Sequence, residues 1–577
     1  MASWAKKLEV PHTAQVSRWI NYDIRPIEPA RRTWGFLTFH NYWLLINTNI
    51  STYLTGSALI PLGLTWWQAF ICIAIGNLLA TLFVVLNSLP GAYYHGSPSR
   101  NTFQQSSLKM GVVGFPVVNR MVWGMWGSQF AIWNRIFLSL VWYGFTAWVG
   151  GECIYIILLS WDPSLEDHIP NHMPADTGMT TAQFVSYFIF NVISLPIIWI
   201  KPYKLQKFFY FASSITIVFF FVILIWALAT MGPEGFGNTL ASSTTLSNTG
   251  GPQSVAWLMV YGIVSTIGSI SAGILNQNDY ARFAIAPKHA IMGQVVPFPF
   301  YSILCSMTGI LVTAATQNRF SGEAIWNLPS MFARLAEDGG PSARAGAFFA
   351  GVCLVISQIG TNVPGNALSG GFDLAATFPR FINIRRGAYI TALLSVVVNP
   401  WRLVNSATTF LTVLSSYSVF LGPMTGLMVS SYLFVNKRKI NVDDLYRGDK
   451  SSIYWFTAGV NWRAILAWLC GALPCLPGFI AGVNTSVDVP SGAIELYYLS
   501  YMYGFLSSGA VFVAMHRLFP AATMESFVKG SPLVDVVRRT YQKWDNTHYE
   551  TGEVLEGEQG EDRLNIENIE VGLGTKV

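Results

Sequence analysis

Two long apolar runs in this chain are interrupted by small and polar residues, and this combination constrains the fold more than any other feature. The first interruption reads Ile46-Asn47-Thr48-Asn49-Ile50-Ser51-Thr52 and the second Gly268-Ser269-Ile270-Ser271-Ala272-Gly273. Inside a bilayer every backbone N–H and C=O needs a partner. An unwound segment at membrane depth therefore survives only where it lines a cavity or is enclosed by protein. The chain is expected to enclose a polar cavity between helices, with both breaks in its wall.

Composition supports a bilayer setting. The 577 residues are 52% hydrophobic and 11% charged, against about 25% charged in a soluble domain. A crossing needs roughly 20 apolar residues. About twelve such stretches begin near Phe36, Trp67, Phe130, Phe184, Phe209, Val255, Ile291, Ala347, Tyr389, Thr409, Ala464 and Leu496. The two breaks fall in the first and sixth, each leading a block of five, as in secondary transporters built from inverted repeats. The predicted class is an all-α membrane protein. Residues 1–33 form a polar N-terminal segment without a signal-peptide core, 34–518 the transmembrane domain, and 519–577 a disordered, mostly acidic tail.

Loop charge sets the expected orientation. The segments after spans two, four, six, eight and ten carry basic residues, among them Arg100, Lys204, Arg282, Arg385 and Lys437. Those after spans one, three, five and eleven carry no Lys or Arg. The positive-inside rule then places both termini in the cytoplasm. The six cysteines lie in or beside apolar spans without a CxxC pair and read as packing residues rather than metal ligands. No GxxxxGK[ST] loop, HExxH helix or GxSxG elbow is present. Neither an ATP-driven pump nor an intramembrane hydrolase is expected, and no ring of filter charges suggests a channel.

Three clusters carry candidate chemistry. In span three, Trp142 and Thr146 share a helix face. They read either as an aromatic plate with a hydroxyl beside it for a flat heterocycle, or as packing against a neighbouring helix. In span eight, Asn362 and Asn366 lie one turn apart around Pro364, whose missing N–H frees the Gly360 carbonyl. Amides at this depth face the bundle or a cavity. At the end of span six, Asp279 and Arg282 could pair one turn apart, as a local ion pair or as a gate contact.

Together these motifs resemble the nucleobase–cation symporter family one, in particular its fungal uracil–allantoin permease branch. The resemblance is carried by Leu62-Gly63-Leu64-Thr65-Trp66-Trp67-Gln68-Ala69, Gly114-Phe115-Pro116-Val117, Trp142 to Gly151, Asn276 to Arg282, Thr361-Asn362 to Asn366 and Phe381 to Gly387. It spans about Asn21 to Leu518. It implies a five-plus-five inverted repeat with broken first and sixth helices and two extra helices. It also implies that Trp142 stacks on the substrate ring and Asn366 hydrogen-bonds its edge. Asn47, Ile50, Gly268 and Asn276 complete the expected pocket.

The chain departs from the family in three places. Thr146 stands where the uracil and allantoin carriers usually have Gln, which leaves room for thiamine-like or nicotinamide riboside-like substrates. The cation site of sodium-coupled relatives would fall at Gly360 and Thr361, next to Asn362. Gly360 supplies no oxygen there, which points to protons, with Glu152 and His40 as candidate carriers. The polar segment Gly96–Val113 interrupts what the family joins almost directly, as an extra loop or a gene-model error. The expectation is a plasma-membrane proton symporter importing a nucleobase-related heterocycle such as uracil, uridine or allantoin. It needs no cofactor or metal and engages no nucleic acid; its partners are the substrate, the proton and the lipid bilayer. The alternatives are a thiamine or nicotinamide riboside carrier, or a sensor that binds without transport.

Overall fold

The computed structural model describes Glu9, Arg18, Trp19 and residues 32–93, 114–200, 204–233, 235–236, 254–484 and 486–532. Among them the chain is helical, with two isolated bridges and no strand. The first span is two helices, α1 (Phe36–Asn47) and α2 (Ile50–Ser57), separated by Thr48 and Asn49 in non-helical conformations. Asn49 caps α2 by accepting from the Thr52 N–H at 3.1 Å, a preferred role for Asn at a helix start. There follow α3 (Trp66–Tyr93), the short buried α4 (Phe115–Trp123), α5 (Ser128–Trp161), α6 (Thr181–Ile198) and α7 (Gln206–Ala229).

The second block opens with α8 (Val255–Leu275) and α9 (Gln277–Ala281), then α10 (Pro287–Val295) and α11 (Pro297–Thr316). A surface helix, α12 (Leu328–Asp338), leads to α13 (Pro341–Asn362). A π-helical turn at Val363–Ala367 joins α13 to α14 (Leu368–Thr377). The block closes with α15 (Ile384–Leu394) and α16 (Ala407–Ser430). Beyond it stand α17 (Trp462–Ala472) with α18 (Leu476–Val483), and α19 (Ser491–Tyr498) with α20 (Ser500–Leu518). The last two form one span bent by 80°. Nine stretches among the described residues are long and apolar enough to cross a membrane, or ten with the bent pair. The first span fails that test because it is broken, and the ninth because α15 is short. Counting both recovers the twelve crossings expected from hydropathy.

The helices pack in two layers. In one, α5 lies against α6 and α13, while α14 packs on α15. In the other, α8 packs on α3 and α16, and α11 on α2 and α3. The two broken spans are tied end to end: the Trp34 N–H donates to the Phe283 carbonyl and the Ile285 N–H to the Trp34 carbonyl, both at 2.9 Å. Span ten is central, with 78% of its apolar window buried. Span four is peripheral at 33% and turns Phe188, Val192 and Ile193 outward.

Two expectations are corrected. The second break is not at Gly268–Gly273, because α8 runs unbroken to Leu275 and the helix ends at Asn276. Ser269 and Ser271 donate to the Thr266 and Gly268 carbonyls of their own helix at 2.7 Å, so these hydroxyls need no unwound backbone. Gly268 serves close packing instead, since a Cβ there would collide with the Leu414 carbonyl. Nor is the tail unstructured from residue 519. Ala522–Gly530 is helix α21, with Met524 and Val528 buried, and Met524 joins a second apolar core with Phe115, Trp123, Leu445 and Phe512. The rest of the tail from 533, and the Gly96–Val113 segment, lie outside the described residues.

Gly268→Leu should therefore act on folding. Overpacking of this kind costs about 1–3 kcal/mol, expected as a lower melting temperature and a reduced monodisperse peak in size-exclusion chromatography.

Candidate substrate site

One cavity of about 100 Å³ lies between the break in span one, α5, the α8–α9 junction and the π turn of span eight. Trp142 and Thr146, one turn apart on α5, both face it. The Trp142 ring is braced edge-on by Phe145 at 5.5 Å and lies 6.3 Å from Tyr417. Opposite, the wider π turn turns Asn366 toward α5. Its Nδ2 donates to Asn362 Oδ1 at 2.9 Å and to the Trp142 carbonyl and Thr146 Oγ1, each at 3.3 Å. Asn362 stands behind it, outside the wall, and donates to the Tyr143 carbonyl at 3.2 Å. An amide relay thus fixes span eight to span three beside the ring.

The break in span one forms the second wall. Asn47 lines the cavity and donates to the Phe298 carbonyl at 3.0 Å. The carbonyls around the break are satisfied by side chains of other spans. Thr361 donates to Leu45 at 3.3 Å, Ser357 to Thr48 and Cys305 to Asn49, both at 3.4 Å. Ser357 had not been singled out as a functional candidate; its spacing of four from Thr361 was the available signal.

Several candidates lie away from the cavity. Ile50 is fully buried in the apolar core, Gly268 faces α16, and Gly360 packs against Leu45 and Ala212. His40 pairs with the Tyr301 hydroxyl at 2.9 Å. Glu152, further along α5, has a buried Oε2 without a hydrogen-bond partner. Neither His40 nor Glu152 lines the cavity. Among the described residues no cluster of His, Cys, Asp or Glu could hold a metal.

The contacts of Asp279 also differ from the expected pairing with Arg282. Asp279 Oδ1 accepts from the Phe115 N–H at 2.9 Å, and Oδ2 faces Arg135 Nη1 at 3.4 Å. Arg135 Nε in turn meets Asp373 Oδ2 at 2.8 Å. The three side chains, from α5, α9 and α14, are at most 2% exposed. Arg282 donates through Nε to the Asp279 backbone carbonyl at 3.2 Å and lies over the Phe372 ring. Close by, the Tyr280 hydroxyl donates to the Pro364 carbonyl at 2.7 Å, and Asn276 donates to Ser369 Oγ at 2.8 Å. These bonds close the end of the cavity where α9 meets span eight. Arg135 escaped the sequence reading because its partner Asp279 is 144 residues away.

Two layers of apolar helices, with an aromatic and amide cavity beside a broken helix, define a multi-pass secondary transporter. The chain belongs to the family of permeases for cytosine/purines, uracil, thiamine and allantoin, which it matches over residues 26–504. The allantoin permease of Saccharomyces cerevisiae is 32% identical over 531 residues, covering 91% of this chain and 79% of that protein. Nicotinamide riboside transporter 1 of the same yeast is 33% identical, covering 90% and 83%. The transporter aclS of Aspergillus oryzae is 31% identical, covering 89% of each. The fold matches that of Mhp1, a nucleobase-cation-symport-1 transporter solved with bromovinylhydantoin bound. The TM-score is 0.66 at 20% identity, over 91% of this chain and all of Mhp1. The inverted-repeat architecture is that of this fold, and the chain is a permease, not an enzyme.

Removing one partner of a buried ion pair strands the other charges and costs about 3–5 kcal/mol. Arg135→Met should accordingly deplete folded protein, while Asp279→Asn, which leaves the Asp373 contact in place, should be milder. Thermal unfolding of both variants in detergent checks the order.

Proposed function

We propose that this permease is a proton symporter of the plasma membrane with both termini in the cytoplasm. It imports a nucleobase-related heterocycle (uracil, uridine, allantoin or similar) from one side of the lipid bilayer to the other by alternating access. The observation that carries this reading is the convergence of Trp142, Thr146 and Asn366 on one cavity beside the broken first span. A flat ring stacks on the Trp142 indole, Asn366 bonds its polar edge, and Thr146 sets how much of that edge is read. Proton coupling is supported by Gly360, which contributes no side-chain oxygen beside Thr361 where a hard cation would need one. A second reading, carriage of thiamine or nicotinamide riboside, is favoured by the short Thr146 side chain, which leaves space a longer amide would fill.

The test is uptake in a host lacking its own carriers for these compounds. Wild-type protein should show saturable uptake of one of them, accumulated against its gradient and faster at acidic than at neutral pH. Binding without accumulation would identify a sensor instead. Asn366→Ala should abolish uptake with surface expression intact, and unchanged uptake would remove the pocket assignment.

A further inference from the structure

Glu152 is an acid inside the bundle that the cavity does not use. On α5 it stands six residues beyond Thr146, about 9 Å along the helix. It also stands seven residues beyond Phe145 and so shares the Phe145 stripe. Its carboxyl faces the side-chain amide of Asn327, a buried residue in the connection between α11 and α12. That connection is tied to the opposite layer, because Ser57, the last residue of α2, donates to the Trp326 carbonyl at 2.8 Å. Glu152 and Asn327 therefore meet across the seam between the two layers. In the orientation proposed above this is the extracellular end of the seam.

The contact lacks a hydrogen. Glu152 Oε2 and Asn327 Oδ1 are both buried without a hydrogen-bond partner. A carboxylate and an amide oxygen only accept, so neither can serve the other. A buried acceptor without a donor is costly. Among the described residues no Lys, Arg or His offsets the Glu152 charge, and the titratable group that acts on it is the neighbouring Cys153 thiol. Of the helices packed on this part of α5, α6 presents Tyr187 and α13 presents Gly351. Glu166 and Glu337, beside Tyr155 one turn further out, are exposed. The deeper carboxylates are answered differently: Asp279 and Asp373 share Arg135, and Asp444 accepts from the Ile453 N–H at 3.2 Å.

The same connection reaches the substrate site through a row of rings. Trp326 lies 5.7 Å from Phe410, Phe410 stacks on Phe145 at 5.8 Å, and Phe145 braces Trp142 at 5.5 Å. In a close-packed interior, seating Trp326 and bracing Trp142 are one event.

We propose that Glu152 is a positioning residue, which takes up a proton from extracellular water before the seam closes and the rings behind Trp142 pack. The protonated carboxyl brings the missing donor, and the closed seam then holds no unpaired charge. As a carboxylate Glu152 keeps its water, and the seam stays open. Acidic pH thus favours the braced plate and tightens substrate binding from outside the cavity. This rests on the cavity being the transport site proposed above.

The test uses Glu152→Gln, which keeps the shape and carries a donor with no proton to lose, and Glu152→Asp, which still titrates. Uptake of uracil, uridine and allantoin is measured at acidic and neutral pH in a host lacking its own carriers. The wild type should show a lower KM at acidic pH for the compound it carries. Glu152→Gln should show the low KM at both pH values, and Glu152→Asp should keep the pH dependence. A pH-dependent wild-type KM that Glu152→Gln reproduces would overturn this inference alone. Wild-type uptake that ignores pH would overturn it together with the proton coupling proposed above. Should Glu152→Gln not reach the surface, Asn327→Asp decides: a second carboxyl at the seam should move the pH profile, and an unmoved profile counts against the inference. Infrared difference spectra of the purified full-length protein without ligand give an independent readout. A protonated-carboxyl band should vanish between acidic and alkaline pH in the wild type and be missing in Glu152→Gln. The same band change in both proteins would overturn the inference, whether or not any of the three compounds is transported.

Discussion

The structure depends on how the unwound backbone of span one is satisfied. At the break the Thr52 N–H turns to the Asn49 side chain, which leaves the Thr48 carbonyl without its helical donor, whereas the Asn49 carbonyl accepts from the Tyr53 N–H at 3.0 Å. Asn49 answers part of this locally, accepting from the Thr52 N–H and donating through Nδ2 to the Ile46 carbonyl, and Thr361, Ser357 and Cys305 on spans eight and seven donate to the Leu45, Thr48 and Asn49 carbonyls. Span eight must therefore lie against the break. Span eight is in turn fixed to span three by Asn362 and Asn366, which reach the backbone at Tyr143 and Trp142. The aromatic plate and the amide that face the cavity are thus positioned by the same bonds that make the break tolerable.

Buried charges beside the same cavity join the two layers. Arg135 has one carboxylate partner on α14 and another on α9, the short helix that follows span six. Tyr280 and Asn276 add bonds from the same broken span to Pro364 and Ser369. Pro364, which removes an N–H from span eight, sits in the π turn whose carbonyl receives Tyr280. A local helix defect and a long-range contact are thus complementary.

Much of this was legible in the residues. Asn47 to Asn49 place amides in an apolar run, and the structure breaks the helix there. Trp142, Thr146 and Asn366, singled out from spacing and family resemblance, meet at one cavity. The second break was misplaced because Gly, Ser and Ala read alike whether they unwind a helix or let another helix approach it. Their hydroxyls bond their own turn, and Gly268 faces the Leu414 carbonyl. Asp279 and Arg282, one turn apart, suggested a local pair, yet the Asp279 carboxylate is held by Arg135 and the Phe115 N–H. Helix α21 was missed because its apolar face is short and finds its partners only in the second core.

The sequence by itself determined the membrane setting, the number of crossings, the first break and the residue types of the pocket. These follow from hydropathy and from the need to satisfy backbone at depth, both local properties of the chain. Only the tertiary structure decided which way each amide points, which carboxylates share Arg135 and where span six ends. Those outcomes turn on single hydrogen bonds and close contacts between residues far apart in sequence, and no periodicity along the chain encodes them.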